Sequence, residues 1–212
     1  MKKNISLILL LIFLFFPLVS AVEFNVKDNF SQGETFTAKI SGNFYQSISS
    51  SDITFFKGHT RISLVPSVQK IDNDFYLSSQ LFGKTPDNYS IVVSNAQYYN
   101  GPELIKSDLS KNFTITNDLV DFTISPAFVM TGGDFFIQVQ NLQNNQITIK
   151  SKILSDSSSS SGSFFDSLFE IGSSGENSTQ TIVKSGEIKK INFQKNNFVP
   201  LSLQTLELSS NN

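Results

Sequence analysis

From residue 22 onward, apolar and polar residues alternate in short runs along the chain. A period of two places alternate side chains on one face of a strand, so each run predicts a strand with one buried face. The first part of the chain has seven such runs, at residues 22–26, 34–40, 52–56, 60–65, 74–81, 89–94 and 112–116. Clusters of glycine, proline, asparagine and aspartate predict turns between them, at residues 29–33, 57–59, 72–74, 83–88 and 100–102.

The alternation restarts after residue 117 and is then interrupted. The predicted strands of this second part are residues 122–126, 134–140, 146–154, 179–183, 188–193 and 201–208. Residues 155–163 are mostly serine and cannot bury apolar surface, so residues 155–178 are predicted to be an inserted loop. Residues 209–212 have the composition of a turn before another strand, and we therefore expect the polypeptide to continue beyond Asn212.

Seven short strands with regular turns are typical of an immunoglobulin-like sandwich, although barrels share this spacing. The sequence therefore predicts an all-β fold of two tandem immunoglobulin-like β-sandwiches, the first over residues 22–117 and the second over residues 118–212.

Residues 1–21 have the pattern of a secretory signal peptide. Lys2 and Lys3 precede an apolar run over residues 5–16, Pro17 ends the run, and small residues lead to Ala21. The run is about a dozen residues long, whereas a transmembrane helix needs about 20, so an uncleaved anchor is the weaker alternative. We expect cleavage after Ala21, a leader helix, and an exported chain that is extracellular or at the cell surface.

Composition narrows the class of partner. Loss of residues 1–21 removes two of the 16 basic residues and none of the 18 acidic residues, which leaves 14 against 18 and a net charge of −4. This charge argues against nucleic acid as a partner. The chain has 21 Phe, no Trp and no Cys, so the predicted sandwiches must be stable by burial without disulfides.

Several segments carry a resemblance to a known class of protein. They are residues 22–28 (VEFNVKD), 32–35 (QGET), 122–126 (FTISP), 133–141 (GDFFIQVQN) and 185–193 (SGEIKKINF). With the leader, they resemble the start of long, uncharacterised archaeal surface proteins built from tandem immunoglobulin-like domains. The second part is also similar to adhesion-related β-sandwich repeats of prokaryotic surface proteins. The resemblance implies a location at the cell surface and a role as a spacer or an adhesive surface.

Residues with catalytic or metal-binding chemistry are few. His59 is the only histidine, and its neighbours predict an exposed hairpin turn without the strand-to-helix elbow of a serine hydrolase. Asp72 and Asp74 form the densest group of oxygen ligands, so a calcium site is an alternative there to a hairpin turn. We expect no catalytic centre and no cofactor.

Four asparagines open an Asn-x-Ser/Thr acceptor pattern for glycan: Asn29, Asn88, Asn112 and Asn177. Asn88 and Asn177 lie in predicted loops and are the better candidates. Asn112 begins a predicted strand, where attachment is hindered.

An apolar cluster interrupts the serine-rich insert, and it comprises Phe164, Phe165, Leu168 and Phe169. One interpretation is a flap that folds over the end of the second sandwich. The alternative is an exposed patch that docks a partner or a membrane surface.

These observations favour a non-enzymatic surface module with a structural or adhesive function. One alternative is a glycan- or peptide-binding module that uses loop tips of the first sandwich or an exposed strand edge. Another is a set of accessory domains of a longer surface hydrolase. The expected partners are other surface proteins or cell-envelope components, with membrane contact only through the leader or a segment beyond Asn212. Lys39, Lys150 and Lys152 are predicted to protect edge strands from self-association.

Overall fold

The computed structural model describes residues 22–154, 179–194 and 205–211. These residues form an all-β structure, and a single 3₁₀ turn at Ser50–Asp52 is the only helical element in the described ranges. The strands are β1 Val22–Val26, β2 Asn29–Gln32, β3 Thr35–Gly42, β4 Ile53–Lys57, β5 Thr60–Ile62, β6 Ser67–Ile71, β7 Asp74–Gln80, β8 Asp87–Asn100, β9 Glu103–Leu119, β10 Phe122–Ser125, β11 Phe135–Asn141, β12 Ile147–Leu154, β13 Thr179–Val183, β14 Ile188–Phe193 and β15 Thr205–Asn211.

Strands β1 to β9 form two sheets, which we call the N-terminal sheet pair. One sheet has the order β1-β3-β7-β6, and the other has the order β2-β9-β8-β4-β5. Neighbouring strands are antiparallel except β2 and β9, which are parallel. Alternate side chains from both sheets meet in one core, as the period-two pattern requires.

Phenylalanine rings fill the centre of this core. The Phe36 ring is fully buried, and its centroid lies 5.2 Å from that of Phe30, 5.2 Å from that of Phe55 and 4.9 Å from that of Phe113. Tilted and edge-to-face arrangements at these distances are favourable for aromatic pairs. Because each ring also buries a large apolar area, this cluster joins the two sheets without a disulfide.

Strands β10 to β15 form the C-terminal sheet pair. Its sheets have the orders β10-β11-β14 and β13-β12-β15, and all described pairings are antiparallel. The core is mainly aliphatic, with Ile137, Val139, Ile147, Ile149, Val183, Ile191 and Phe193 buried. This core supports the period-two prediction for the second part of the chain.

The two sheet pairs meet where β9 leads into β10. Val120 N donates to Gln32 O at 3.1 Å. The Thr35 hydroxyl donates to Ile124 O at 3.0 Å. Gly33 has a φ of +80° and lies against the side chain of Leu142, so a larger residue there would meet the second sheet pair. Direct contacts, rather than the linking residues alone, therefore connect the two sheet pairs.

The structure differs from the predicted local structure of the first part at several places. Residues 29–33 were predicted to be a turn, but Asn29–Gln32 is strand β2, because Phe30 enters the core and the backbone pairs with β9. Strand β6 was not predicted, because this edge strand is polar or half-exposed over most of its length. Strands β8 and β9 also extend well beyond the predicted residues 89–94 and 112–116. The predicted boundary at residue 117 falls inside β9, which continues to Leu119.

Two further predictions were wrong in the placement of residues within sheets. Residues 209–211 belong to strand β15, which pairs with β12, and not to a turn. Lys39 lies on β3, and Lys150 and Lys152 lie on β12. Both strands have a neighbour on each side, so these lysines do not protect sheet edges. The predicted leader at residues 1–21 and the predicted insert at residues 155–178 lie outside the described residues.

Candidate binding surface at the tip of the N-terminal sheet pair

Three connections meet at the end of the N-terminal sheet pair that faces away from β10. They are residues 43–52 between β3 and β4, residues 72–73 between β6 and β7, and residues 101–102 between β8 and β9. The register brings them together, because Gly42 pairs with Val22, Ser41 pairs with Asp74, and Phe44 pairs with Tyr98. We call this end the distal tip.

The β8–β9 hairpin forms most of the distal tip. A bulge at Asn95, where φ is +56°, separates the hairpin arm from the rest of the sheet. The Asp108 carboxylate accepts a hydrogen bond from Asn95 N at 2.7 Å and so stabilises the bulge. Beyond it, residues 96–107 run to a turn at Gly101, which has a φ of +60°. Bulges of this kind re-aim a strand and are frequent next to functional sites.

Residues 43–45 add a short third strand segment to the arm. Tyr45 N donates to Gln97 O at 2.9 Å, and Tyr99 N donates to Asn43 O at 2.8 Å. The arm therefore has backbone hydrogen bonds on both sides of β8, which hold its side chains in fixed positions.

The two faces of the arm differ in burial. On the inner face, the Phe44 ring lies edge-on to Phe75 at 5.3 Å, and it also contacts Tyr98. On the outer face, the Tyr45 and Tyr99 rings lie 6.0 Å apart at 83°. Tyr45 is 57% exposed, and Leu104, which pairs with Tyr99 across the hairpin, is 49% exposed. The inner face anchors the arm, and the outer face presents aromatic and apolar surface to solvent.

His59 lies at the opposite end of the same sheet pair. It is an exposed residue in the turn between β4 and β5, where Gly58 has a φ of +57°. The predicted hairpin turn is therefore confirmed. The sequence offers no cysteine or second histidine, and His59 lies away from the distal tip.

Asp72 lies in the turn between β6 and β7, and Asp74 begins β7, so the predicted hairpin is also confirmed. The Asp74 carboxylate is 2.7 Å from the Lys39 ammonium. Burial opposes the charged form of Lys39, but its hydrogen bond to Asp74 and the nearby negative charge raise the pKa of Lys39 above its ordinary 10.5. Asp74 is thus engaged by a cation of the chain itself. Among the described residues, no group of three or more His, Cys, Asp and Glu side chains could hold a metal ion.

Three of the four acceptor asparagines lie close together. Asn29 on β2 and Asn88 on β8 both pair with Thr114 of β9, and Asn112 lies two residues along the same strand. All three asparagines are exposed. Asn88 lies in strand β8 and not in the predicted loop, and its amide oxygen accepts a hydrogen bond from the Thr114 hydroxyl at 3.0 Å.

The remaining predicted site residues lie outside the described ranges. These are Asn177 and the apolar cluster of Phe164, Phe165, Leu168 and Phe169.

Two grooves accompany these features. One, of about 360 Å³, lies between residues 22–25 of β1 and residues 108–111 of β9. The other, of about 650 Å³, lies at the junction of the two sheet pairs, where Lys27 and Glu34 form an ion pair at 2.7 Å. In the second groove the Ser210 hydroxyl donates a hydrogen bond to the Asp121 carboxylate.

The alternation along the sequence does not reveal the outer face of the arm. The predicted turn at residues 100–102 was the available signal, because two tyrosines precede it and two apolar residues follow it. The pairing of residues 43–45 with β8 is a long-range contact, and the alternation within one strand does not reveal it.

No protein-family model matches the chain, and no curated protein matches it. Among solved structures, a DUF4785 family protein from Legionella pneumophila aligns over 90% of this chain and 51% of its own, with 16% identity and a TM-score of 0.31. A marsupial T cell receptor aligns over 90% of this chain and 94% of its own, with 14% identity and a TM-score of 0.32. The chain thus spans about half the length of the Legionella protein. Alignments at these TM-scores do not define a common fold.

None of the helical structure among the described residues is long and apolar enough to cross a membrane.

Proposed function

We propose that this chain is an exported, non-enzymatic surface module in which two immunoglobulin-like sandwiches in tandem carry an adhesive distal tip. The pattern of residues 1–21 supports export. The strand order supports the immunoglobulin-like assignment. Numbered as strands A to G of that fold, β1-β3-β7-β6 corresponds to A-B-E-D, and β9-β8-β4 corresponds to G-F-C.

The single observation that carries the adhesive role is the outer face of the β8–β9 arm. Tyr45, Tyr99 and Leu104 present apolar surface there, around strand β8, whose backbone is bonded on both sides. Large aromatic side chains on a rigid support supply contact area at a small cost in conformational entropy. Loops at one end of a sandwich are also the positions where such folds carry binding residues.

Binding of the full chain to an envelope fraction of its source cells tests this role. The double variant Tyr45→Ser/Tyr99→Ser removes both rings from the outer face, and we expect affinity to fall at least about tenfold. The matched control is Phe82→Ser, which removes a ring that is 54% exposed at the opposite end of the same sheet pair. Equal affinity of the double variant and the parent chain would contradict the proposal, and so would an equal loss in the control.

Glycan binding is a second candidate, because three of the five tyrosines of the chain, Tyr45, Tyr98 and Tyr99, lie in the distal tip. Sugar rings stack on exposed aromatic faces, and tyrosine fluorescence reports such stacking directly in a chain without tryptophan. Titration with soluble neutral polysaccharides separates the two candidates. A saturable fluorescence change that Tyr99→Ser abolishes favours glycan, and its absence with envelope binding intact favours a protein partner.

A further inference from the structure

Strand β9 has an outer edge that no strand occupies in the part of the chain that the structure describes. β8 pairs with one side of β9 from Glu103 to Ile115. β2 pairs with the other side only from Thr114 to Leu119. Residues 103–112 therefore form a free edge, and a free edge of this length is a template for a further strand.

The register shows which backbone groups point out of the free edge. On β8, the backbone groups of Gln97 and Tyr99 bond to residues 43–45 and so point away from β9. Their partners across the ladder, Leu104 and Lys106, must point their own groups away from β8. The alternation along the strand extends this outward direction to Asp108, Ser110 and Asn112.

Charges of alternating sign follow the same edge. Glu103, Lys106, Asp108 and Lys111 are all exposed. In an antiparallel pair of two copies with a two-fold axis at Ser107, each residue faces the one equally far on the other side of Ser107. Glu103 then faces Lys111 of the second copy, and Lys106 faces Asp108 of the second copy. Every charge on the edge meets an opposite charge, which favours cross-strand pairing.

Neighbouring registers lack this complementarity. Moving the axis by one residue also keeps outward-pointing residues opposite each other. An axis at Lys106 sets two lysines opposite each other, and an axis at Asp108 sets two aspartates opposite each other. Because like charges directly opposite are destabilising, the charge pattern selects the axis at Ser107.

No strand pairs with the outer edge of β9 as far as Asn112 in the described ranges, and residues 22–25 of β1 lie across the groove of about 360 Å³ from residues 108–111. The turn of the second copy ends opposite Asn112, and the first bond from the β2 side of β9 is at Thr114, where its N donates to Asp28 O. On the inner face, half-buried Ile105 comes opposite half-buried Leu109 of the second copy. Outward-pointing residues on the two copies face each other in four pairs, each of which exchanges two backbone hydrogen bonds.

We propose that two copies of this chain associate through residues 103–111 of β9, antiparallel and centred on Ser107, which joins their five-stranded sheets into one continuous sheet. A protective role for the charges is the competing explanation, since charged side chains on an edge strand commonly prevent association. The order of the charges favours association over protection, because the signs are opposite at equal distances on either side of Ser107. The edge is therefore complementary to itself in an antiparallel pair. The proposal is independent of any ligand at the distal tip.

Sedimentation equilibrium of the chain, produced from its full 212-residue sequence, tests the association. We expect the mass to rise from one chain to two across micromolar concentrations. Glu103→Lys and Lys111→Glu each set like charges opposite each other twice in the dimer and should weaken association about tenfold. The double variant Glu103→Lys/Lys111→Glu exchanges the signs and should restore the parent affinity. A parent chain that stays monomeric, or a double variant that is weaker than both single variants, would overturn the proposal.

Cysteine crosslinking tests the position of the axis. The chain has no cysteine, so Ser107→Cys introduces a single thiol. Residues at a non-hydrogen-bonded position face each other at a Cα separation of about 4.5 Å, within the range of a disulfide. We expect oxidation to give a covalent dimer. In the control Ser110→Cys, the two thiols lie about 20 Å apart along the strands, and no dimer should form. Equal crosslinking of both variants, or none with Ser107→Cys, would contradict the axis, and far-UV circular dichroism verifies that both variants fold.

Discussion

The cores of the two sheet pairs are built from different side chains. The N-terminal core buries six phenylalanines, with Phe36 in contact with three other rings, whereas the described C-terminal core buries one. The C-terminal core instead combines isoleucine and valine with a buried amide, that of Asn141. One period-two pattern therefore supports two kinds of core, one based on ring packing and the other on aliphatic packing with a specific polar contact.

Asn141 uses most of its hydrogen-bonding capacity. Its amide nitrogen donates to Asn145 O at 2.8 Å and to Val183 O at 3.1 Å, and its amide oxygen accepts from Gln143 N at 2.8 Å. The side chain therefore ties the end of β11 to the following turn and to β13 in the other sheet. A buried polar group that is satisfied in this way fixes the relative position of the elements that it joins.

Spectroscopic signals separate the two sheet pairs. All five tyrosines lie between residues 45 and 99, and the chain has no tryptophan. Tyrosine fluorescence therefore reports mainly the N-terminal sheet pair, with Tyr76 also packed against Phe128 between β10 and β11, whereas far-UV circular dichroism reports both sheet pairs.

The largest effect is expected from removal of the central ring of the N-terminal core. Phe36→Ala leaves a cavity among Phe30, Phe55 and Phe113, and we expect the free energy of unfolding to fall by about 4 kcal/mol. Urea denaturation followed by tyrosine fluorescence measures this loss.

The matched control is Phe136→Ala, which removes a ring that is 44% exposed on β11. Its ring lies 4.4 Å from the Lys190 ammonium, so we expect a loss of about 1 kcal/mol or less. Similar losses for the two variants would show that burial of the Phe36 ring adds nothing to its contribution.

The second effect concerns the buried amide of the C-terminal sheet pair. Asn141→Ala leaves the carbonyls of Asn145 and Val183 without this donor, and we expect a loss of about 2 kcal/mol. The circular dichroism transition should move more than the tyrosine transition, because the change lies in the C-terminal sheet pair.

Asn192→Ala is the matched control, since Asn192 is an exposed asparagine on β14 of the same sheet pair. We expect its effect to stay within about 0.5 kcal/mol. If the control destabilises the chain as much as Asn141→Ala does, the amide contributes nothing beyond its position in a strand.

The sequence predicted the repeating pattern better than it predicted the pairing. Strands β1, β3, β11 and β14 were located because burial alternates along each of them. Strand β7 was also located, although residues 75–79 are buried on both of its faces. Strand β2 was missed because its polar residues favour a turn locally, and only the core contact of Phe30 and the pairing with β9 make it a strand. Tertiary contacts override local preference in this way in many sheets.

The distal tip was beyond prediction for a related reason. Its position depends on a bulge at Asn95, on the Asp108 carboxylate that bonds to this bulge, and on residues 43–45, which are at least 50 positions away from both. The free edge of β9 was equally invisible, because the sequence does not show where the pairing with β2 stops. The alternating charges of residues 103–111 can pair with a second strand only because they lie along that edge.

The smallest effect tests whether the two sheet pairs, despite their different cores, stabilise each other. Gly33→Ala must keep a φ near +80° and would place a methyl group against the Leu142 Cδ1 atom of the C-terminal sheet pair. Gly58→Ala has similar backbone strain at a φ of +57° with open space around it. We expect a loss of about 1 kcal/mol for Gly58→Ala, from strain alone, and about 1 kcal/mol more for Gly33→Ala.

A double-mutant cycle with Leu142→Ala isolates the contact across the junction. Shortening Leu142 removes the group that the new methyl would meet, so Gly33→Ala should cost only the strain measured at Gly58 when Leu142→Ala is also present. Urea denaturation, followed by both spectroscopic signals, gives the free energy of unfolding of the parent chain, of each single variant and of the double variant. An additive cycle would mean that residue 33 and Leu142 do not approach each other across the junction. A coupling energy of about 1 kcal/mol would instead show this close approach, and coincident transitions of the two spectroscopic signals would show that the phenylalanine-rich core and the aliphatic core unfold together.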